Sequence, residues 1–268
     1  MDNRKLSEIW DQRAEQHASR KGCRTEDPGS RLYEISWWRH IEPLLSEITG
    51  GRILEAGCGV GRWVERLAPM GFEMTLTDIS PAMLKKAEEA ANAKGYRDKV
   101  SFEVADIGAM DALEDNSFHM AIATGEPVSM CDTPQKAIGE LCRVVRPGGY
   151  VLCDAGNRYR RAYDMFRDNP SEPLLPLLET GENSHGELTL HLLGPDEMSA
   201  IFNDLNMELL TLAGITPMFT FPPNQGQKKA LADSRIVQDQ ADIDEKFHAT
   251  NGMLYLSSRL IAVARKPA

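Results

Sequence analysis

The run Ile53-Leu54-Glu55-Ala56-Gly57-Cys58-Gly59-Val60-Gly61 constrains this chain more than any other stretch. A short apolar segment enters an acid, then three glycines at alternate positions, and a helical pattern starts at Arg62. Apolar strand, glycine turn and helix together form the front of a β-α-β unit. Glycine suits such a turn because it tolerates positive φ and lets a ligand come close to the backbone. The carboxylate of Glu55 at the strand end points to a ligand that carries hydrogen-bond donors or positive charge.

The chain around this turn alternates regularly. Strands are expected at Ile53–Ala56, Glu73–Asp78, Val100–Ala105, Phe118–Ala123 and Tyr150–Ala155. Between them, helices are expected at Arg62–Met70, from Pro81 to Lys94 with Ser80 as N-cap, and at Gln135–Val145 before the Pro147-Gly148-Gly149 turn. This order predicts a mainly parallel sheet covered by helices, with ligands beyond the C-terminal ends of the strands. Two helices precede it, Leu6–Arg20 and Arg31–Ile48; the second has Leu32, Ile35, Trp38, Ile41 and Leu45 on one apolar face. After Asn157 the rhythm breaks. A helix over Arg158–Arg167 leads into an irregular polar stretch, Asn169–Gly194; a helix at Pro195–Asn203 and a strand at Met207–Leu212 follow. A helical segment over Gln227–His248 then precedes a last strand at Tyr255–Arg265.

Composition narrows the function classes. The net charge of −10 argues against a protein that grips nucleic acid mainly through its phosphates. The first residues carry no apolar signal core, and no later run is long enough to span a membrane. Five cysteines without a CxxC pair read as reduced thiols, which places the chain in the cytoplasm. With no internal repeat, its 268 residues read as a core of residues 51–156. Residues 1–50 would form a helical lid, 157–205 a substrate-facing insertion and helix, and 206–268 strands completing the sheet.

Two ligand classes compete for the glycine turn. A dinucleotide fingerprint needs glycine or alanine at its sixth position, and the two possible registers place Arg62 or Val64 there. Asp78 ends the second strand 17 residues after Gly61; it can accept both hydroxyls of a ribose, or cap the helix that starts at Ser80. Asp106 follows the third strand, where a solvated loop aspartate is the other reading.

The E-x-G-x-G-x-G order, Asp78, Asp106, the Ala123-Thr124-Gly125-Glu126-Pro127 segment and the Arg146-Pro147-Gly148-Gly149 turn, taken in sequence, resemble class I S-adenosylmethionine-dependent methyltransferases. The resemblance covers Ile53 to Ala155 and implies a Rossmann-like α/β fold. Its sheet would have seven strands, mostly parallel with an antiparallel last strand, plus an N-terminal helical lid and an insertion after strand 5. It implies S-adenosylmethionine as cofactor, with Gly57, Gly59 and Gly61 cradling it. Asp106 would receive the adenine amino group, Ile79 and Ile107 cover the ring, and Thr124 and Gly125 face the methionine part. Glu55 would hold the cofactor's ammonium, or else pair with Arg62. Tyr33 and Trp37 are expected in the lid, whereas Trp38 fits the apolar core.

The resemblance implies in-line methyl transfer to a small-molecule acceptor. A hydroxyl acceptor would call for a base, for which His185, His191, Tyr159 and Glu126 are the candidates, with solvated loop histidines as the alternative. His185, Glu187 and His191 match no metal-ligand spacing, so no metal is expected. Arg158-Tyr159-Arg160-Arg161 reads as an anion clamp or as a solvated helix face. The layout after the fifth strand, from Asn157-Arg158-Tyr159 to the final Ala264-Arg265-Lys266-Pro267, is similar to the methyltransferases that esterify carboxymethoxyuridine in tRNA. Transfer to wobble uridine is therefore the alternative within methyl transfer. A non-catalytic sensor of the cofactor is the alternative of another class.

Overall fold

Strand β1 (Arg52–Ala56) is buried at every position after Arg52 and lies between two parallel neighbours, β2 (Glu73–Asp78) and β4 (Phe118–Ala123). A strand covered on both faces needs a continuous apolar run, and Ile53-Leu54 followed by Ala56 supplies it. The structure, a computed structural model, describes residues 2–23, 28–171, 173–215 and 233–268; the side chains of 20–23, 28, 29 and 185 fall outside that description.

Helices α1 (Asn3–Cys23) and α2 (Pro28–Leu45) precede the sheet. After β1 come α3 (Val64–Leu67), β2, α4 (Pro81–Ala93), β3 (Val100–Val104), β4, α5 (Pro127–Met130), α6 (Pro134–Val144) and β5 (Val145–Gly156). The chain continues through α7 (Arg158–Asp168), α8 (Leu175–Thr180), β6 (Glu182–His185), β7 (Leu188–His191), α9 (Pro195–Asp204) and β8 (Glu208–Gly214). Helices α10 (Ser234–Phe247) and α11 (Asn251–Leu256) lead into β9 (Arg259–Arg265). The seven-stranded sheet has the order β3-β2-β1-β4-β5-β9-β8. Strand β9 runs antiparallel to both β5 and β8, as the resemblance implied for the last strand. The β2–β1–β4–β5 pairings are parallel, so the C-terminal ends of these strands open onto one edge.

Two cores sandwich the sheet. One gathers Leu54, Ala121, Val151 and Ala262 with Ile138 and Leu141 of α6 and Phe202 of α9. The other gathers Ile53, Met120 and Leu152 with Trp37 and Ile41 of α2, Trp63, and Leu84 of α4. Trp37 is fully buried there, while Trp38 lies at the margin and stacks on Trp63 at 6.3 Å between ring centroids. Trp37, expected in the lid, is thus a core residue, because the face of α2 that meets the sheet is set by Trp37, Ile41 and Leu45, and Trp38 packs at the edge of the same core.

Three further expectations are corrected. The stretch 169–194 is not irregular: it holds α8 and the β6–β7 hairpin, whose short strands mix apolar and polar residues. Strand β5 starts at Val145 instead of Tyr150; the Pro-Gly-Gly sequence makes a bulge, with the β4 partner changing from Val145 at Phe118 to Tyr150 at Met120. The last strand starts at Arg259, since Tyr255 belongs to α11. Of the helix expected over 227–248, residues 227–232 lie outside the described residues, and α10 occupies Ser234–Phe247.

Candidate functional site

The turn after β1 closes on itself through a hydrogen bond from the Gly61 amide to the Cys58 carbonyl, 3.0 Å. Gly57 has φ +62°, and a Cβ there would lie 2.4 Å from Cβ of Pro127, so only glycine permits this approach of the β1 and β4 loops. Gly59 has φ +55°, and a Cβ there would meet nothing within 4 Å, so its open side faces the cleft. The cleft has a volume of about 850 Å³, counting the space at its mouth, and lies at the C-terminal ends of β1, β2, β3 and β4.

Asp78 lines this cleft from the end of β2. One carboxylate oxygen accepts the Gly59 amide at 2.8 Å and the other accepts the Ser80 amide at 2.9 Å. Each oxygen keeps a lone pair for a further donor. Burial pushes the Asp78 carboxyl up to about 6, against the pull of the Ser80 and Gly59 amides; the nearby Asp11 adds to the rise. Asp106 also lines the cleft. Its oxygens accept the Gly108 amide at 2.9 Å and the Asn3 side-chain amide at 2.7 Å. Ile79, Ile107, Thr124 and Gly125 line the same space, as do Gly57 and Gly59.

Three residues expected to touch a ligand are placed off the wall. The Glu55 carboxylate accepts the amides of Arg62 (2.8 Å) and Trp63 (3.3 Å), so it caps the turn that opens α3. Gly61 packs toward Leu76 and Ala87. Tyr33 donates its hydroxyl to Asp154 at 2.8 Å, and its ring lies between the guanidinium groups of Arg62 and Arg259, 4.9 and 5.3 Å from its centroid. Of the base candidates, His191, Tyr159 and Glu126 all lie off the wall, and the side chain of His185 is outside the described set. Tyr159 packs on Tyr255, and Glu126 pairs with Arg259 at 3.0 Å. The arginine run forms no open clamp. Arg158 bonds to Glu197 and the Leu192 carbonyl, Arg160 to Asp164 and the Leu256 carbonyl, and Arg161 to Asn183.

Several wall residues carry no motif. Leu6, Trp10 and His17 of α1 line the cleft, and α1 is tied across it by the Ser7 hydroxyl on the Ile79 carbonyl, 2.9 Å. Asp11 accepts both the Ser80 hydroxyl (2.5 Å) and the Ala82 amide (3.0 Å). Leu6, Trp10, Ala14 and His17 recur at three- and four-residue spacing, the one signal that could have singled out this face. Leu188 at the start of β7 joins Leu6, Ile9, Ile79 and Met130 in an apolar cluster beside the cleft. Arg62 is the cation on the wall; its guanidinium lies 3.7 Å from Glu34.

Burial raises the thiols of the wall residues Cys58 and Cys131, and the negative charges of Asp78 and Glu55 add to the rise at Cys58. The polar wall is therefore dominated by acceptors, Asp78 and Asp106. That suits a ligand offering ribose hydroxyls and an amino group, and does not suit a pyrophosphate.

Comparison with known proteins agrees with this chemistry. Residues 53–149 match the family described as Methyltransferase domain. The chain is 28% identical over 191 residues to a ubiquinone biosynthesis O-methyltransferase of Alkalilimnicola ehrlichii, covering 69% of this chain and 72% of that one. It is 29% identical over 143 residues to an S-adenosyl-L-methionine-dependent Diels-Alderase of Talaromyces variabilis, covering 51% and 49%. In fold it is similar to an S-adenosylmethionine-dependent methyltransferase from Methanosarcina mazei, with a TM-score of 0.57 at 18% identity over 84% of this chain and 97% of that one.

Proposed function

We infer, from the premise that the chain is a class I S-adenosylmethionine-dependent methyltransferase, that it methylates a hydroxyl oxygen of a small, largely apolar molecule. The observation that carries this reading is the acceptor-rich, glycine-walled cleft, bordered by the apolar side chains of Leu6, Trp10 and Met130. The relatives named as ubiquinone biosynthesis O-methyltransferases support oxygen as the nucleophile.

The wall fits the cofactor. Asp78 would take the ribose hydroxyls on its remaining lone pairs, and Asp106 the adenine amino group once Asn3 gives way. Ile79 and Ile107 would flank the base, and Gly59 leaves room beside the backbone. Thr124 and Gly125, two strands away from Asp78 in the sheet, remain for the amino-acid end. Bound there, S-adenosylmethionine would supply an electrophilic methyl group on its sulfonium; an acceptor oxygen that has given its proton to solvent would take that methyl in line as the carbon–sulfur bond breaks and the neutral thioether leaves. The chain contributes alignment and dryness. Helix α1 covers the ribose and adenine end of the cleft with Leu6 and Trp10, and the hairpin residue Leu188 packs beside it, which shields that end from water.

Among the described residues no helix is long and apolar enough to cross a membrane. The four described cysteines are free thiols, which supports a cytoplasmic setting. The inward-turned guanidinium groups of Arg158 and Arg160 favour a small molecule over tRNA as the acceptor.

The test is incubation with isotopically labelled cofactor and a panel of phenols, catechols and aliphatic hydroxy compounds, with products identified by mass. A labelled methyl ether supports the reading. Label on stoichiometrically recovered tRNA, or on nitrogen or sulfur only, replaces it. Tight cofactor binding without transfer to any compound points to a sensor.

A further inference from the structure

We propose that Asp154 is a positioning residue that fixes the turn of the wall residue Gly125 and its neighbour Glu126, and couples it, through Tyr33, to helix α2. Asp154 stands near the end of β5, one residue past the Ala123–Cys153 register pair, and its side chain is fully buried. One carboxylate oxygen accepts the amides of Gly125 (3.1 Å) and Glu126 (2.7 Å). The other accepts the Tyr33 hydroxyl at 2.8 Å and the Gly125 amide at 3.2 Å.

The backbone explains why such a clamp is needed. Gly125 and Glu126 have φ +96° and +69°, two successive residues in the left-handed region, and Glu126 is not a glycine. This conformation is sparsely populated and persists only where neighbouring structure holds it. Three donors converge on Asp154 from the wall and from α2. A carboxylate, with acceptor sites on both oxygens, satisfies them all, whereas a side-chain amide has only one accepting oxygen. Arg259 completes the arrangement from β9, with Nε 3.0 Å from Glu126 and Nη1 4.0 Å from Asp154.

Tyr33 is thus linked to the wall on two sides without lining it. Its hydroxyl reaches Gly125 through Asp154, and its ring faces the guanidinium of the wall residue Arg62. Helix α2 also holds Arg62 through Glu34, the next residue. Motion of α2 at Tyr33 must therefore be felt at Gly125. This inference rests on the cleft being the cofactor site.

The test reads the amides of Gly125 and Glu126 by nitrogen-15 NMR and S-adenosylhomocysteine affinity by calorimetry, in Tyr33→Phe, Asp154→Ala and the double variant. Tyr33→Phe should shift both amide resonances, speed their hydrogen exchange, and weaken binding by roughly threefold to tenfold. In the Asp154→Ala background the same change should alter affinity by less than about twofold, because its route to the wall is gone. Unmoved amides in Tyr33→Phe, or effects that multiply independently in the double variant, overturn the proposal. Should Asp154→Ala fail to fold, the amide shifts of Tyr33→Phe alone decide it. A wild-type chain that does not bind S-adenosylhomocysteine would sink the cofactor reading and leave those shifts to decide the coupling.

Discussion

Lowering the pH should weaken cofactor binding through Asp78, and the slope can be worked out beforehand. Burial raises this carboxyl to about 6 in the ligand-free chain. Ribose hydroxyls need an acceptor, so they prefer the ionised form and pull its pKa back down on binding. The raised value therefore leaves affinity full well above pH 6 and removes it as pH falls through 6. At about pH 5 only about one chain in eleven keeps the carboxylate, so the apparent Kd should be about tenfold higher than at about pH 8, on the order of 1.4 kcal/mol. Binding at about pH 5.5 should release up to ~0.8 proton, visible as a dependence of calorimetric heat on the buffer's ionisation enthalpy. S-adenosylhomocysteine is the ligand for the titration. Because His17 also lines the cleft, the slope must survive His17→Gln and vanish in Asp78→Asn. A flat wild-type profile between about pH 5 and 7, or an unchanged slope in Asp78→Asn, would refute the reasoning.

Two other perturbations test the cleft. Gly57→Ala forces a left-handed alanine against the Pro127 ring, which should cost about 2–5 kcal/mol. Thermal unfolding should then fall by roughly 5–15 °C, and an unchanged transition would show that the β1 and β4 loops do not meet as described. Burial raises the thiols of Cys58, Cys142 and Cys153, that of Cys142 up to about 12. A disulfide reagent should reach them slowly in the native chain and rapidly in denaturant, and saturating S-adenosylhomocysteine should protect Cys58 and Cys131 on the cleft wall. Rapid native labelling at Cys142 or Cys153 would contradict their burial.

The parts of the fold legible in the sequence are those where one segment carries its own pattern. Strands β1 and β4 are buried on both faces and read as largely apolar runs, while β2 shows Met74 and Leu76 alternating with threonines that are also buried. Helix α4 has its Ser80 cap and Pro81 adjacent in sequence, and the cap bond to the Met83 amide is made. The β6–β7 hairpin was not legible: its strands have four residues each and include Asn183, Ser184, Thr189 and His191. Their apolar partners, such as Leu6 and Ile9, lie far away in the chain. In the site, Asp78 and Asp106 follow directly from strand ends. The wall residues of α1 do not, because they reach the cleft only by docking of a helix whose apolar stripe is weak. Asp154 was hidden for a related reason: as a lone acid in the apolar stretch Tyr150–Ala155 it carries no spacing signal, and its donors come from residues 33, 125 and 126.

The place of β9 between β5 and β8 has a consequence for the order of events during synthesis. Its residues, 259–265, emerge from the ribosome after every other described strand of this sheet, yet they form an interior strand of it. Until they appear, β5 presents an open edge of unpaired backbone groups, and β8 has no place in the sheet. Arg259, the cation beside Glu126 and Asp154, arrives at the same moment. Nascent chains stalled before that point should therefore expose β5 to chaperones or to one another. The sheet closes, and the loop beyond β4 gains its counter-charge, in one late step.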